Sequence, residues 1–164
     1  MSTKKPRYAE GTDVPVEKSR NEIEKILISR DADQRIFGED EQGARVMFRL
    51  HGRMYKFDIV YPSRSDRSIA CDSRGYALTK DRVAARYQKE IQRRWRVLLI
   101  SLKARFEIID SEAATVDQEF MAYTMLPDGS TVGEHIEPSI EYAYQTGQIP
   151  ELLPRFKALP GRNL

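Results

Sequence analysis

From Lys80 to Asp110 the chain runs without a glycine or a proline. Those are the two strongest helix breakers, glycine through backbone entropy and proline through its missing N–H. Within the run Val83, Tyr87, Ile91, Leu98, Leu102, Phe106 and Ile109 recur at intervals of three, four or seven residues, and Trp95 and Leu99 widen the stripe. That period lays them along one face of an α-helix. The spacing predicts a helix of roughly 30 residues, about 45 Å long at 1.5 Å per residue. Thr79 stands at the N-cap position and Asp81 in the first turn, residue types that suit a helix N-terminus. Such an element outruns a small sheet, so it either breaks or projects at one end.

The residues before it follow a different period. Val46, Phe48 and Leu50 alternate with Met47, Arg49 and His51, and Tyr55, Phe57, Ile59 and Tyr61 alternate with Lys56, Asp58 and Val60. Alternation is the signature of a half-buried strand. His51-Gly52-Arg53 reads as a hairpin turn and Pro62 as a strand end. Arg35–Glu39 reads as a short strand before the polar turn Asp40-Glu41-Gln42-Gly43, and Ile69-Ala70-Cys71 as a short fourth strand. Val14-Pro15-Val16 opens an earlier helix with Val16, Ile23, Ile26 and Leu27 as its buried stripe. After the long run, Thr115 caps a short helix with Phe120, Met121 and Tyr123. Leu126-Pro127-Asp128-Gly129 turns the chain, and Glu134–Tyr144 forms a last helix stopped by Gly147. Tyr55, Phe57 and Tyr61 fall on one alternation and read as core rather than as a stacking surface.

The expected fold class is α+β. A small antiparallel meander of three to four strands packs against a long basic helix, with N-terminal and C-terminal helices completing the layer. Residues 1–13 read as a flexible arm, 14–154 as a single domain, and 155–164 as a flexible tail. Ile149-Pro150 and Leu152-Leu153-Pro154 read as an apolar clasp.

Several functions are excluded or disfavoured. Hydrophobic residues are 40% of 164 and charged residues 32%, enough for one core under a heavily charged surface. No stretch approaches the roughly 18–20 apolar residues of a membrane span, so no membrane role is expected. The basic start, Met1–Arg7, has no apolar segment behind it and does not read as a secretory signal. One cysteine, Cys71, excludes an internal disulfide and a cysteine-based zinc finger, and two histidines, His51 and His135, offer little to a metal. No serine or cysteine sits in a nucleophile elbow, and Gly52, Gly75, Gly129 and Gly133 are isolated rather than gathered in a phosphate loop. Asp58, Asp66, Asp72 and Glu90 match no nuclease spacing, and Asp58 with His51 is the one pair an enzyme reading would use. The expectation is no catalytic residue, no metal and no cofactor, with the balance against an enzyme.

Charge carries the functional signal. Residues 1–44 have a net charge of −2, residues 45–105 of +11, residues 106–152 of −10 without one Lys or Arg, and residues 153–164 of +3. A basic middle of this size suits phosphate. Arg82, Arg86, Lys89, Arg93 and Arg96 succeed one another at steps of four, three, four and three, with Lys103 seven residues on. They share one helix face, where like charges repel until something neutralises them. Arg45, Arg49 and His51 share the polar side of a strand, with Arg53 and Lys56 beyond the turn. Three readings remain open: phosphate contact, neutralisation by the acidic third within one chain or between two, and a merely solvated face.

Tyr8-Ala9-Glu10-Gly11-Thr12 with Val14-Pro15-Val16-Glu17-Lys18-Ser19-Arg20, then Arg94-Trp95-Arg96, then Leu126-Pro127-Asp128-Gly129 with Thr131-Val132-Gly133-Glu134, resemble a family of small proteins of tailed bacteriophages and prophages. The resemblance spans about residues 8–154 and carries no residue roles. It implies a viral gene product in the cytoplasm of a bacterial host, where handling phage DNA, binding a host protein and blocking a defence system are common tasks. The leading expectation is a phage-encoded, non-enzymatic accessory protein that binds nucleic acid, DNA rather than RNA. Its phosphate contacts would be Arg49, Arg53, Arg82, Arg86, Lys89, Arg93, Arg96 and Lys103. The alternative is a module that binds or inhibits a host protein, defence proteins included, through the acidic C-terminal third. A homodimer with basic and acidic halves paired is the third reading.

Overall fold

A computed structural model describes residues 13–148 and 150. The expected arm, apart from Asp13, the clasp, apart from Pro150, and the tail lie outside those residues. In chain order the elements are helix α1 (Val16–Ser29), strands β1 (Asp33–Glu39), β2 (Gly43–Leu50) and β3 (Arg53–Val60), and helices α2 (Arg67–Ala70), α3 (Lys80–Asp110), α4 (Val116–Phe120) and α5 (Val132–Thr146). A 3-10 turn, Met121–Tyr123, continues directly from the end of α4. The fold is α+β, with a three-stranded antiparallel sheet in the order β1-β2-β3.

Register arises from the alternation. Phe48 faces Tyr55 and Val46 faces Phe57 across β2 and β3, so the apolar residues of both strands share one face. The connecting turn places His51 and Gly52 at φ +49° and +77°. Two-residue turns with both central φ values positive match the twist of paired strands. Phe120 from α4 closes the core here, with its ring edge-on to Phe48 and Phe57 at 6.0 and 5.9 Å between centroids.

Helix α3 is continuous over 31 residues. Its buried side chains are Tyr87, Ile91, Trp95, Leu99, Leu102 and Phe106. Trp95 and Leu99 thus sit at the centre of the stripe, not at its margin, because steps of four and three run unbroken through them. Trp95 donates its indole N–H to Tyr61 Oη at 3.0 Å, and Tyr61 donates to the Glu39 carboxylate at 2.6 Å, tying α3 to both edges of the sheet. Burial and that carboxylate together push the Tyr61 hydroxyl's pKa well above the usual phenol range.

At about 46 Å the helix overhangs strands of about 26 Å. One overhang carries α2 and the other carries α4. The Ile69-Ala70-Cys71 stretch differs from the expected fourth strand. The amides of Ile69 and Ala70 both donate to the Asp66 carbonyl, giving helix α2, and Cys71 only bridges Ala77. The free edge of β3 is taken instead by the chain near Thr124, where Met125 N–H donates to the Met54 carbonyl.

The last helix packs differently from the others. Thr131 and Glu134 form a reciprocal capping box, and Gly147 in the left-handed region ends α5. No α5 residue is buried. A Cβ on Gly133 would lie 2.9 Å from the Ala122 carbonyl oxygen, so the missing side chain is what lets α5 approach the 3-10 turn.

Candidate nucleic-acid interface

Arg45, Arg49 and Lys56 lie on the sheet face opposite the core residues, while Arg53 shares the alternation of Tyr55 and Phe57. Arg49 and Asp33 are register partners across β1 and β2, and Arg49 donates twice to that carboxylate, at 2.7 and 2.6 Å. The hydrogen bonds hold the Asp33 carboxyl below its usual range and raise the guanidinium's pKa further. Arg45 donates one hydrogen bond to its own cross-strand partner, Asp58, at 2.6 Å. Arg53 pairs with Asp117 of α4, and Lys56, 8% exposed, reaches Glu134 and the Gly129 carbonyl. Arg45, Arg49, Arg53 and Lys56 of the sheet are thus paired with carboxylates, while Arg35 of β1 meets the Ala32 carbonyl.

The middle of α3 is also neutralised. Lys89 lies 3.4 Å from Asp13. Arg93 and Arg94 close on Glu90, one turn back, at 2.6 and 3.2 Å. Arg96 and Lys103 share Glu22 of α1 at 3.4 and 2.9 Å. The hydrogen bond from Lys103, with the charge of Arg96 added, holds the Glu22 carboxyl below the usual range. Arg105 reaches Glu119 at 3.2 Å. Six cations of this helix are thus met by four carboxylates, from α1, α4, α3 itself and the segment before α1.

The overhang at the start of α3 is different. Arg64, Arg67, Arg74, Lys80, Arg82 and Arg86 are all exposed, and none forms an ion pair among the described residues. Arg86 donates to the carbonyls of Cys71 and, at 3.5 Å, Ser68. A carbonyl positions a guanidinium and leaves its charge intact. Arg64 lies over the Tyr87 ring, 4.7 Å from its centroid. Two of the local carboxylates are occupied elsewhere. Asp66 accepts the Ser63 amide at 3.0 Å, and Asp72 accepts the amides of Arg74 and Tyr76, each at 2.9 Å. Asp81 lies in the first turn of α3, where the helix dipole favours it. Residues 64–86 carry a net charge of +3, and two of the three acids accept backbone amides.

Of the eight cations the sequence singles out, six have carboxylate partners: Arg49, Arg53, Lys89, Arg93, Arg96 and Lys103. Arg82 and Arg86 have no carboxylate partner among the described residues. The structure adds Arg64, Arg67, Arg74 and Lys80 beside them. Their signal in the sequence is a run of six Lys and Arg against three acids between Arg64 and Arg86, interrupted by turn residues and so without helical period. Among the described residues no three His, Cys, Asp or Glu side chains gather into a cluster that could hold a metal, and no helix is long and apolar enough to cross a membrane. No family model, curated protein or solved structure matches the chain.

Proposed function

We propose that this is a non-enzymatic nucleic-acid-binding accessory protein that holds phosphate at the α2 end of α3. The observation that carries the reading is the contrast in compensation. The remaining cations of α3, from Lys89 to Arg105, have carboxylate partners, while those of residues 64–86 form no ion pair among the described residues and two of their three neighbouring acids accept backbone amides. Exposed, uncompensated cations on a fixed scaffold are what a phosphate backbone needs. The phage resemblance favours DNA over RNA and a bacterial host as the setting.

The test is binding of labelled DNA across a salt series, with the wild-type chain beside Arg74→Glu/Arg82→Glu. Both side chains are exposed, and Arg74 meets Asp72 through its backbone amide rather than its guanidinium. The wild type should lose affinity with a log–log slope of about −3 to −5, as for three to five phosphate contacts. The double variant should lose binding while its thermal midpoint stays within about 2 °C. Equal binding by the two proteins refutes the proposal.

A further inference from the structure

Phosphate contact leaves one feature of this end without a use. Tyr76 is 71% exposed although its backbone is held on both sides. Its N–H donates to Asp72 Oδ1 at 2.9 Å, and its carbonyl accepts the Asp72 amide at 2.8 Å. The flanking backbone is pinned as well: Cys71 bridges Ala77, and the Leu78 amide reaches the Ala70 carbonyl at 2.8 Å. The turn therefore fixes the Cα–Cβ bond of a large ring that packs against little. Gly75, at φ +92°, adopts a conformation other residues avoid. The Arg67 guanidinium lies 3.0 Å from where a Cβ on Gly75 would stand, so a cation rests against the backbone just before the tyrosine.

The other strongly exposed tyrosines, Tyr142 and Tyr144, lie on α5, in a stretch with no Lys or Arg. Tyr76 alone joins exposure, a pinned backbone and adjoining uncompensated cations among the described residues. A single strand offers phosphates and unpaired bases in alternation, and every base has a face that stacks on an aromatic ring. A duplex keeps its bases inside the stack and offers a lone ring at a turn tip only phosphate and groove edges.

We propose that Tyr76 is a stacking platform for an unpaired base, and that the basic end takes single-stranded nucleic acid in preference to duplex. This rests on the phosphate-binding reading above. Arg67, whose guanidinium lies against the Gly75 backbone, and Arg74, two residues before the ring, hold the phosphates next to the stacked base.

The test uses the full chain with a labelled oligothymidylate and a labelled duplex of equal length, each monitored by fluorescence anisotropy across a salt series. The wild type should bind the single strand more tightly. Tyr76→Ala should weaken single-strand binding about tenfold, the scale of one base–aromatic stack, with the salt slope unchanged. Tyr76→Phe should restore it, and duplex binding should move less than about twofold. Arg74→Glu/Arg82→Glu should instead remove binding to both. Single-strand affinity unchanged in Tyr76→Ala, with binding still lost in the charge variant, overturns the stacking role and leaves the phosphate site standing. An equal loss on duplex overturns the single-strand preference. No binding of either oligonucleotide by the wild type overturns both proposals together.

Discussion

The first two turns of α3 and its middle are built from the same residue types, yet they present different charge to solvent. Lys89, Arg93, Arg96 and Lys103 face α1, Asp13 and their own Glu90, and every one finds a carboxylate. Lys80, Arg82 and Arg86 stand at the end that carries α2 and the 71–78 turn, which offer Arg86 carbonyls. The difference lies in the neighbour rather than in the helix. Under the proposed phosphate binding, a positive residue counts toward binding when the element packed beside it presents no anion. Glu22 shows the leverage, since one carboxylate on α1 occupies two cations seven residues apart.

The sharpest break of this comparison is a pair of charge reversals on one helix system. Arg74→Glu/Arg82→Glu should cost DNA affinity a hundredfold or more, roughly what several lost phosphate contacts imply. Arg93→Glu/Arg96→Glu should change affinity less than about threefold and instead lower stability, because it places new acids beside Glu90 and Glu22. Parallel titrations and thermal melts separate the two. Equal losses of affinity would mean that the mid-helix ion pairs open in the complex.

A smaller effect runs in the other direction. Glu22→Gln frees Arg96 and Lys103, so DNA affinity should rise about threefold with a steeper salt slope. The stability cost should be about 1 kcal/mol or less, as for partly exposed pairs. The same carboxylate sets a pH dependence. Its pKa is lowered in the folded protein, so its contribution is complete above the ordinary carboxylate range and is lost as pH falls through the lower folded value. Stability should drop over that interval in the wild type and less so in Glu22→Gln, in urea melts at stepped pH.

The smallest expected change lies at the acidic end. Thr131→Ala removes the α5 capping box and should cost about 1 kcal/mol, with DNA affinity unchanged. A shift in affinity would show that the two ends communicate.

Period made most of the fold legible. Alternation in 44–61 and the stripe of 83–109 specify the strands, the long helix and most of the core. Three residues, Ile69-Ala70-Cys71, are too few to hold a period, and the Asp66 carbonyl decides them locally as a helix. The site was less legible because compensation is a tertiary property. The pairing of Glu90 with Arg93 and Arg94 is a matter of helical spacing alone. The meeting of Glu22 with Lys103, 81 residues away, exists only once α1 lies along α3. Tyr76 has no comparable signal, since exposure of a ring in a short turn leaves no pattern in the sequence.

Helix α5 buries none of its side chains and carries Pro138 within it, which leaves the carbonyl one turn back without its helical donor. Its hold on the body comes from the Gly133 approach, the Lys56–Glu134 pair and its cap. The amide protons of α5 should therefore exchange with deuterium through a local opening that spares the rest. Those of β2 and of α3 around Trp95 should wait for global unfolding. That exchange pattern would define two cooperative units of unequal free energy, the weaker one unfolding without disturbing the scaffold that fixes the basic end.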